Sequence, residues 1–398
     1  MLSLAKRMGR ARPSAIMAVA MKAKALAAQG RDIISFSIGV PNFLPGEHVY
    51  AAARAALEND SGNYGSNRGR DDLLDGYLQH LREVGIEGYT RQQVVTGIGN
   101  KHVLFNTMYA LLDPGDEVLI PTPYWTSYVD ICDILDAKTT LLECPPEVNY
   151  KLTAAQLRAA IGPKTKLLLF NNPSNPTGMV YTPDEIQALA DVLVEHPLWV
   201  ISDDIYNRMI FDGLPYSHLV LARPELRDRV ILMDSVSKTY GMPGWRVGYM
   251  AGPEAIIDAV VKLNSNHITN LPEITTAAAA AALSGPQDLP RRMCGEFQAK
   301  RDEVLAMFAR IPSVRCPKPQ GAFYVFPDIS GLYGKHHAGS AITSDVEFCN
   351  ALLEAEGVAV VPGSAFGEPR AVRLSYTLPA AQLTEGLARF ERFVRALS

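Results

Sequence analysis

From Asp234 the chain reads Asp234-Ser235-Val236-Ser237-Lys238-Thr239-Tyr240-Gly241-Met242-Pro243-Gly244-Trp245-Arg246-Val247-Gly248. A lysine follows an apolar run and stands among serines, glycines and an arginine. Phosphate binding wants hydroxyls, backbone N–H groups and a guanidinium fork. Ser235, Ser237 and Arg246 supply these around Lys238. A lysine beside a phosphate cradle has two common uses, a P-loop or a Schiff base with pyridoxal 5′-phosphate, and the pattern GxxxxGK[ST] is absent here. Two upstream motifs decide between them. Asn172-Pro173-Ser174-Asn175-Pro176-Thr177-Gly178 follows the apolar run Lys166–Phe170, and Ser202-Asp203-Asp204-Ile205-Tyr206 closes the run that starts at Trp199. Pyridoxal phosphate needs a carboxylate at its pyridinium nitrogen, hydrogen bonds to its ring oxygen and a Schiff-base lysine. Asp203, Asn175 with Tyr206, and Lys238 fit those demands in that order.

These motifs sit in an alternating pattern of elements. Ser14 as N-cap and Gly30 as a stop predict a helix over Ala15–Gln29. A strand over Ile33–Ile38 and the turn Gly39-Val40-Pro41-Asn42 follow. Helices are predicted over Val49–Glu58, Asp71–Val84 and Lys101–Leu112, and strands over Gln93–Thr96, Glu117–Ile120, Lys166–Phe170, Trp199–Ser202 and Val230–Asp234. Strand alternating with helix is the signature of a mainly parallel sheet covered on both faces, whose ligands bind beyond the carboxyl ends of the strands. After Ser284 the style changes. Helices over Leu289–Phe308, Ser344–Glu356 and Ala380–Leu397 and strands over Gly321–Phe326, Val358–Val361 and Ala371–Tyr376 make a smaller α+β unit. No linker separates the two, so the boundary is expected inside a continuous helix. The expected division is an N-terminal arm and helix over 1–45 belonging to the small domain, a large domain over 46–284 and a small C-terminal domain over 285–398.

Composition narrows the class without naming a reaction. The 398 residues are 47% hydrophobic and 20% charged, with 38 Lys+Arg against 42 Asp+Glu. That excludes disorder as the main theme and gives no general attraction to nucleic acid or anionic membrane. No apolar run approaches the ~20 residues of a membrane span. The Ala-rich stretch Thr275–Ala282 reads as a packed helix. Met1–Arg12 is basic, but no apolar segment follows, so it does not read as a secretory signal. The five cysteines lack CxxC spacing, which disfavours disulfides and zinc and favours a reducing cytoplasm. There is no HExxH; His336-His337 reads as a solvated loop, and no metal is expected.

With these motifs in this order, the chain resembles the pyridoxal-phosphate-dependent aminotransferases of fold type I, class I/II, the aspartate aminotransferase superfamily. The likeness runs from Pro13-Ser14-Ala15 to Val372-Arg373-Leu374-Ser375-Tyr376. It implies an α/β fold: a large domain with a mainly parallel seven-stranded sheet flanked by helices, plus a smaller α+β domain. It implies Lys238 as Schiff-base lysine and proton mover, Asp203 as partner of the ring nitrogen, and Tyr206 with Asn175 on the ring oxygen. Asp204 reads as a supporting or solvated residue. The phosphate is expected on Gly99-Asn100-Lys101, where a helix begins, completed by Ser235, Ser237 and Arg246. Tyr64, in Asn63-Tyr64-Gly65, resembles a tyrosine that reaches the phosphate of the neighbouring subunit, which implies a homodimer with shared active sites. Trp125 matches the aromatic that stacks on the ring, with Tyr124 and Tyr128 as alternatives in register. Arg373, Gly39 and Asn175 match the binders of the substrate α-carboxylate.

The substrate is less sharply implied. Asn264–Pro272 corresponds to a segment in which some aspartate aminotransferases carry an arginine for the distal carboxylate, and it holds none here. The bacterial aspartate/prephenate subgroup resembles the chain more closely; its Gly-Gly-Lys stands where Gly99-Asn100-Lys101 does, so Lys101 favours an acidic substrate. Val40 replaces a common glutamate, and Arg68 is a second candidate clamp. Aspartate, or another acidic or aromatic amino acid, is the expected donor, with a 2-oxo acid such as 2-oxoglutarate as acceptor. A β-lyase acting on cysteine conjugates is the alternative on the same frame. A regulator that only senses the cofactor would carry a DNA-binding domain ahead of Pro13, where the pattern leaves no room.

Overall fold

A computed structural model of the chain describes residues 3–60 and 62–398. The basic stretch at the N-terminus and the loop from Ser61 therefore begin on positions outside the described residues. A helix α1 (Ala15–Ala28) starts on Ser14, whose side chain accepts from the Met17 N–H. A short strand β1 (Ile34–Ser35), α2 (Glu47–Asp60) and α3 (Asp71–Glu83) follow.

Seven strands then build one sheet: β2 (Val94–Gly97), β3 (Glu117–Thr122), β4 (Lys138–Glu143), β5 (Thr165–Asn171), β6 (Trp199–Asp203), β7 (Val230–Ser235) and β8 (Gly248–Ala251). Their order is β2-β8-β7-β6-β5-β3-β4, and only β8 runs against its neighbours. The near-continuous apolar runs follow from coverage on both faces. Val230 and Leu232 of β7 enter one core with α3 and the helix Glu273–Ser284. Ile231 and Met233 enter another, with α4 (Asn100–Leu111), α5 (Ser127–Leu135) and the helix Glu254–His267. The period of two along one strand thus feeds two layers.

A third core joins Phe297, Phe308, Phe348 and Phe390 to Ile34 and Phe36 near the N-terminus and to Tyr206, Met209 and Phe211 beyond β6. It covers a three-stranded sheet of Val361–Pro362, Val372–Ser375 and Tyr324–Val325. Residues that follow β6 therefore pack into this third core, which couples it to the sheet's carboxyl edge.

Several expectations are corrected. The helix expected to run continuously across residue 284 is broken into Glu273–Ser284 and Asp288–Phe308. Pro286 disfavours the helical conformation of the residue before it, and Gly285 is extended, at φ −82° and ψ −169°. The strand expected over Ile33–Ile38 pairs only at Ile34–Ser35, with Val358–Ala359; beyond it Ile38 is exposed, at the mouth of a cleft. The strand at 321–326 shortens to Tyr324–Val325. His336–His337 is a strand of a small hairpin, with the His337 ring against Phe393. β4, α5 and β8 were not anticipated.

Candidate active site

Three adjacent strands deliver polar residues to one edge: β5 ends in Asn171, β6 in Asp203 and β7 in Ser235, with Asn171 and Asp203 in register. Asp203 is buried at 3% exposure. Tyr128 donates its hydroxyl to Oδ2 at 2.8 Å and Asn100 Nδ2 donates to Oδ1 at 2.8 Å. Burial pushes the Asp203 pKa up to about 7; the charge of Asp204 adds to the rise, and the Tyr128 and Asn100 donors oppose it. A cation brought to this carboxylate restores its charge. Asp204 is itself buried, accepting from Ser202 Oγ at 2.8 Å, with His218 Nε2 at 3.3 Å from its other oxygen.

Lys238 rides on the short helix Val236–Thr239, which Ser235 caps by accepting from the Ser237 N–H at 3.2 Å. Its half-buried ammonium donates to the Gly39 carbonyl at 2.7 Å. Burial lowers its pKa to about 8, aided by the Arg373 and Arg246 guanidiniums and opposed by Asp203. Only a glycine lets the chain pass at position 39, because a Cβ there would overlap the Tyr324 ring and hydroxyl.

An anion cradle lies at the start of α4. Gly99 is the N-cap at φ +75° and makes no side-chain cap bond, so the first-turn N–H groups keep their pull on negative charge. A Cβ on Gly99 would collide with the Arg246 guanidinium, and one on Gly248 would come within 2.6 Å of the Asn100 nitrogen. Arg246 is itself left-handed, at φ +55°, with Nη1 donating to the Pro243 carbonyl at 2.8 Å.

Arg373 leaves the small sheet and is buried between the rings of Tyr324 and Phe366, 4.7 and 4.8 Å from their centroids. Nη1 donates to Asn175 Oδ1 at 3.0 Å and Nη2 to the Ser37 carbonyl at 2.6 Å, while the buried Nε has no partner. A guanidinium has five N–H donors, so it retains donors for a further anion. Tyr206 exchanges a hydroxyl hydrogen bond with Tyr324 at 2.9 Å.

Among the residues expected from the sequence, Gly39, Asn100, Trp125, Asn175, Asp203, Tyr206, Lys238 and Arg373 line one cleft of about 650 Å³. Gly99 and Arg246 flank it through the cradle. Lys101 stands beside it, its ammonium 5.1 Å from the Trp125 ring centroid and its pKa lowered by burial. Tyr64 is 88% exposed and is not among the residues that line the cleft. Arg68 is not a free clamp: it donates to the Gln92 and Val94 carbonyls and pairs with Asp258 at 2.8 Å. Sequence reasoning missed Asn171, Tyr324 and the apolar Ile16, Met17 and Ile38, all of which line the cleft. It weighed Tyr128 only for stacking; in the structure the Tyr128 ring is edge-on to Trp125 and its hydroxyl holds Asp203. The three-residue step from Trp125 to Tyr128 at a helix start was the available signal.

What these groups jointly offer matches one molecule. The helix N-terminus and Arg246 suit a phosphate, Asp203 suits a protonated ring nitrogen, and the amine of Lys238 suits an aldehyde carbon. Pyridoxal 5′-phosphate has all three, which places the chain in the class of enzymes that depend on it. The model of the family described as aminotransferase class I and II matches residues 31–390, and the chain belongs to that family. An aspartate/prephenate aminotransferase of Cereibacter sphaeroides is 43% identical over 401 residues, covering 100% of both chains. The crystal structure of the aspartate aminotransferase of Rhizobium meliloti superposes with a TM-score of 0.97 at 37% identity, covering 100% of both chains. The Thermus thermophilus aspartate aminotransferase solved with maleate gives 0.91 at 32% identity, covering 98% of this chain and 100% of that one. The chain is an aminotransferase that uses pyridoxal phosphate. The β-lyase alternative is not favoured by relatives that carry aminotransferase names.

Proposed function

We propose that the amino donor is aspartate or another amino acid with an acidic or aromatic side chain, and the acceptor a 2-oxo acid such as 2-oxoglutarate. The observation that carries this reading is the convergence of Asp203, Lys238 and Arg373 on one cleft with an apolar mouth of Ile16, Met17 and Ile38 and with Lys101 at its side. The bound cofactor supplies an electron sink for the charge left at the substrate Cα. Lys238 would hold the cofactor through its amine and, once freed, would carry the substrate Cα proton on its nitrogen. Its depressed pKa keeps part of that amine neutral near physiological pH. Asp203 would keep a proton on the ring nitrogen. Tyr206 and the amide hydrogens of Asn175 would donate to the ring oxygen, and Trp125 would stack on the ring. Gly99, Asn100, Lys101, Ser235, Ser237 and Arg246 would hold the phosphate, joined by the partner subunit's Tyr64. That reading makes the enzyme a homodimer with shared sites, which the exposure of Tyr64 supports.

Arg373 receives the substrate α-carboxylate with its spare donors, beside Asn175 and Gly39. Arg373→Ala is therefore expected to raise KM for every amino acid, by roughly 100-fold, since all share that group. Steady-state kinetics with an acidic and an apolar donor check this; a loss confined to one donor would move Arg373 to the side-chain pocket. Donor choice is read by mixing the enzyme with single amino acids and following the visible absorbance of the lysine-bound cofactor. Aspartate, glutamate or an aromatic amino acid should bleach it fastest. In Lys101→Ala the loss should be selective, about tenfold in kcat/KM for dicarboxylic donors and little for alanine. Equal loss for both would assign Lys101 to the phosphate alone.

Residues 1–45 and 285–398 are read as one small domain against a large domain over 46–284, a division that the packing of Ile34 and Phe36 with Phe297 and Phe390 supports. Among the described residues no helix is long and apolar enough to cross a membrane. A cytoplasmic site of action is proposed on the cysteine chemistry.

A further inference from the structure

Asn100 is the first residue of α4, just inside the N-cap position. Here the N-cap is Gly99 and no side chain caps the turn. The Asn100 amide points inward instead, Nδ2 donating to Asp203 Oδ1 at 2.8 Å. The side chain is 5% exposed, and its buried Oδ1 has no hydrogen-bond partner. Its orientation therefore follows from Asp203: an ionised carboxylate only accepts, so the NH2 side must face it. Tyr128 grips the other carboxylate oxygen, and Asn171 Nδ2 holds the Asp203 backbone carbonyl at 2.7 Å. The carboxylate is thus pinned at both oxygens, from two helices, on a strand end that is itself pinned.

We infer that Asn100 is a positioning residue: its amide holds the Asp203 carboxylate in place and ionised for the ring nitrogen of the cofactor. This rests on the reading of Asp203 given above. The need for such a grip is physical. Burial and the adjacent Asp204 both favour the neutral acid, and the donors from Tyr128 and Asn100 work against them. An Asp203 that has lost one donor gives the ring nitrogen a weaker acceptor, while the Arg373 end of the cleft is untouched.

The test uses the holoenzyme and two variants, Asn100→Ala and the nearly isosteric Asn100→Asp, each reconstituted with cofactor labelled with nitrogen-15 in the ring. The ring-nitrogen chemical shift, the half-saturating cofactor concentration, kcat and KM are read together. In Asn100→Ala the shift should move toward the unprotonated ring, kcat should fall about tenfold, and donor KM should change less than about twofold. Asn100→Asp should lose more, because two adjoining carboxylates cannot both ionise. An unchanged shift and kcat in Asn100→Ala, or an Asn100→Asp variant that matches the parent, would overturn the inference. So would a rise in KM without a change in shift, which is what damage to the phosphate loop or the fold would give. An unprotonated ring in the parent enzyme would instead remove the reading of Asp203 on which the inference stands.

Discussion

Replacing Lys238 with alanine is expected to lower turnover by about 10,000-fold or more while the protein still folds. On the proposed reading the amine has two tasks that no neighbour can take over. It would be the nucleophile that holds the cofactor and the base that moves the substrate Cα proton. Tyr206, which lines the same cleft, is paired with Tyr324, and burial raises its pKa well above the ordinary phenol value, so it stays protonated and cannot take up the proton. Stability should hardly change. The Lys238 ammonium bonds a backbone carbonyl at Gly39, and burial and two guanidiniums already disfavour its charge. Measured kcat beside a thermal melt checks both halves. A small primary amine added to the variant should restore part of the activity. Parent-like turnover without added amine would remove Lys238 from the mechanism.

Asp203→Asn is expected to cost about 1,000-fold in kcat, with cofactor still retained through the phosphate cradle and the amine of Lys238. The substitution keeps shape and removes charge. A neutral amide cannot hold a proton on the ring nitrogen, so the ring accepts electrons from Cα poorly. It also creates a local conflict. Asn100 Nδ2 and the Tyr128 hydroxyl both donate to Asp203, and an asparagine presents an acceptor to only one of them. Donor KM should move little, because Arg373 and Asn175 are unaffected. A kcat within a few-fold of the parent would show that the charge of Asp203 is not needed.

Much of this site is legible because the chemistry lies at strand ends, where short apolar runs stop and polar residues begin. Lys238, Asp203 and Asn175 each follow such a run, and a parallel sheet gathers their carboxyl ends at one edge. Arg373 was legible only through resemblance, since nothing local to Val372–Ser375 tells that the small sheet turns this side chain into the cleft. Tyr324 and Ile16 were not legible at all, because they reach the site through packing between segments far apart in sequence. The inward turn of Asn100 is of the same kind: the sequence places it in the phosphate loop, and nothing local tells that its amide reaches the buried carboxylate of Asp203. β4 was missed because Lys138–Glu143 is exposed at the sheet edge and carries polar residues, and β8 because its four residues follow the glycine-rich lysine segment. The break at Gly285–Gln287 stood in the sequence as Pro286, and the run of good helix formers on either side masked it.

In an aminotransferase the cofactor keeps the nitrogen of the donor and passes it on. A single half-reaction separates this from elimination: holoenzyme mixed with glutamate in the absence of any 2-oxo acid, followed by product analysis. The expected result is one 2-oxoglutarate per active site, loss of the visible band in equal amount, pyridoxamine phosphate left on the protein and no free ammonia. Release of ammonia with the cofactor returned to its starting form would contradict it.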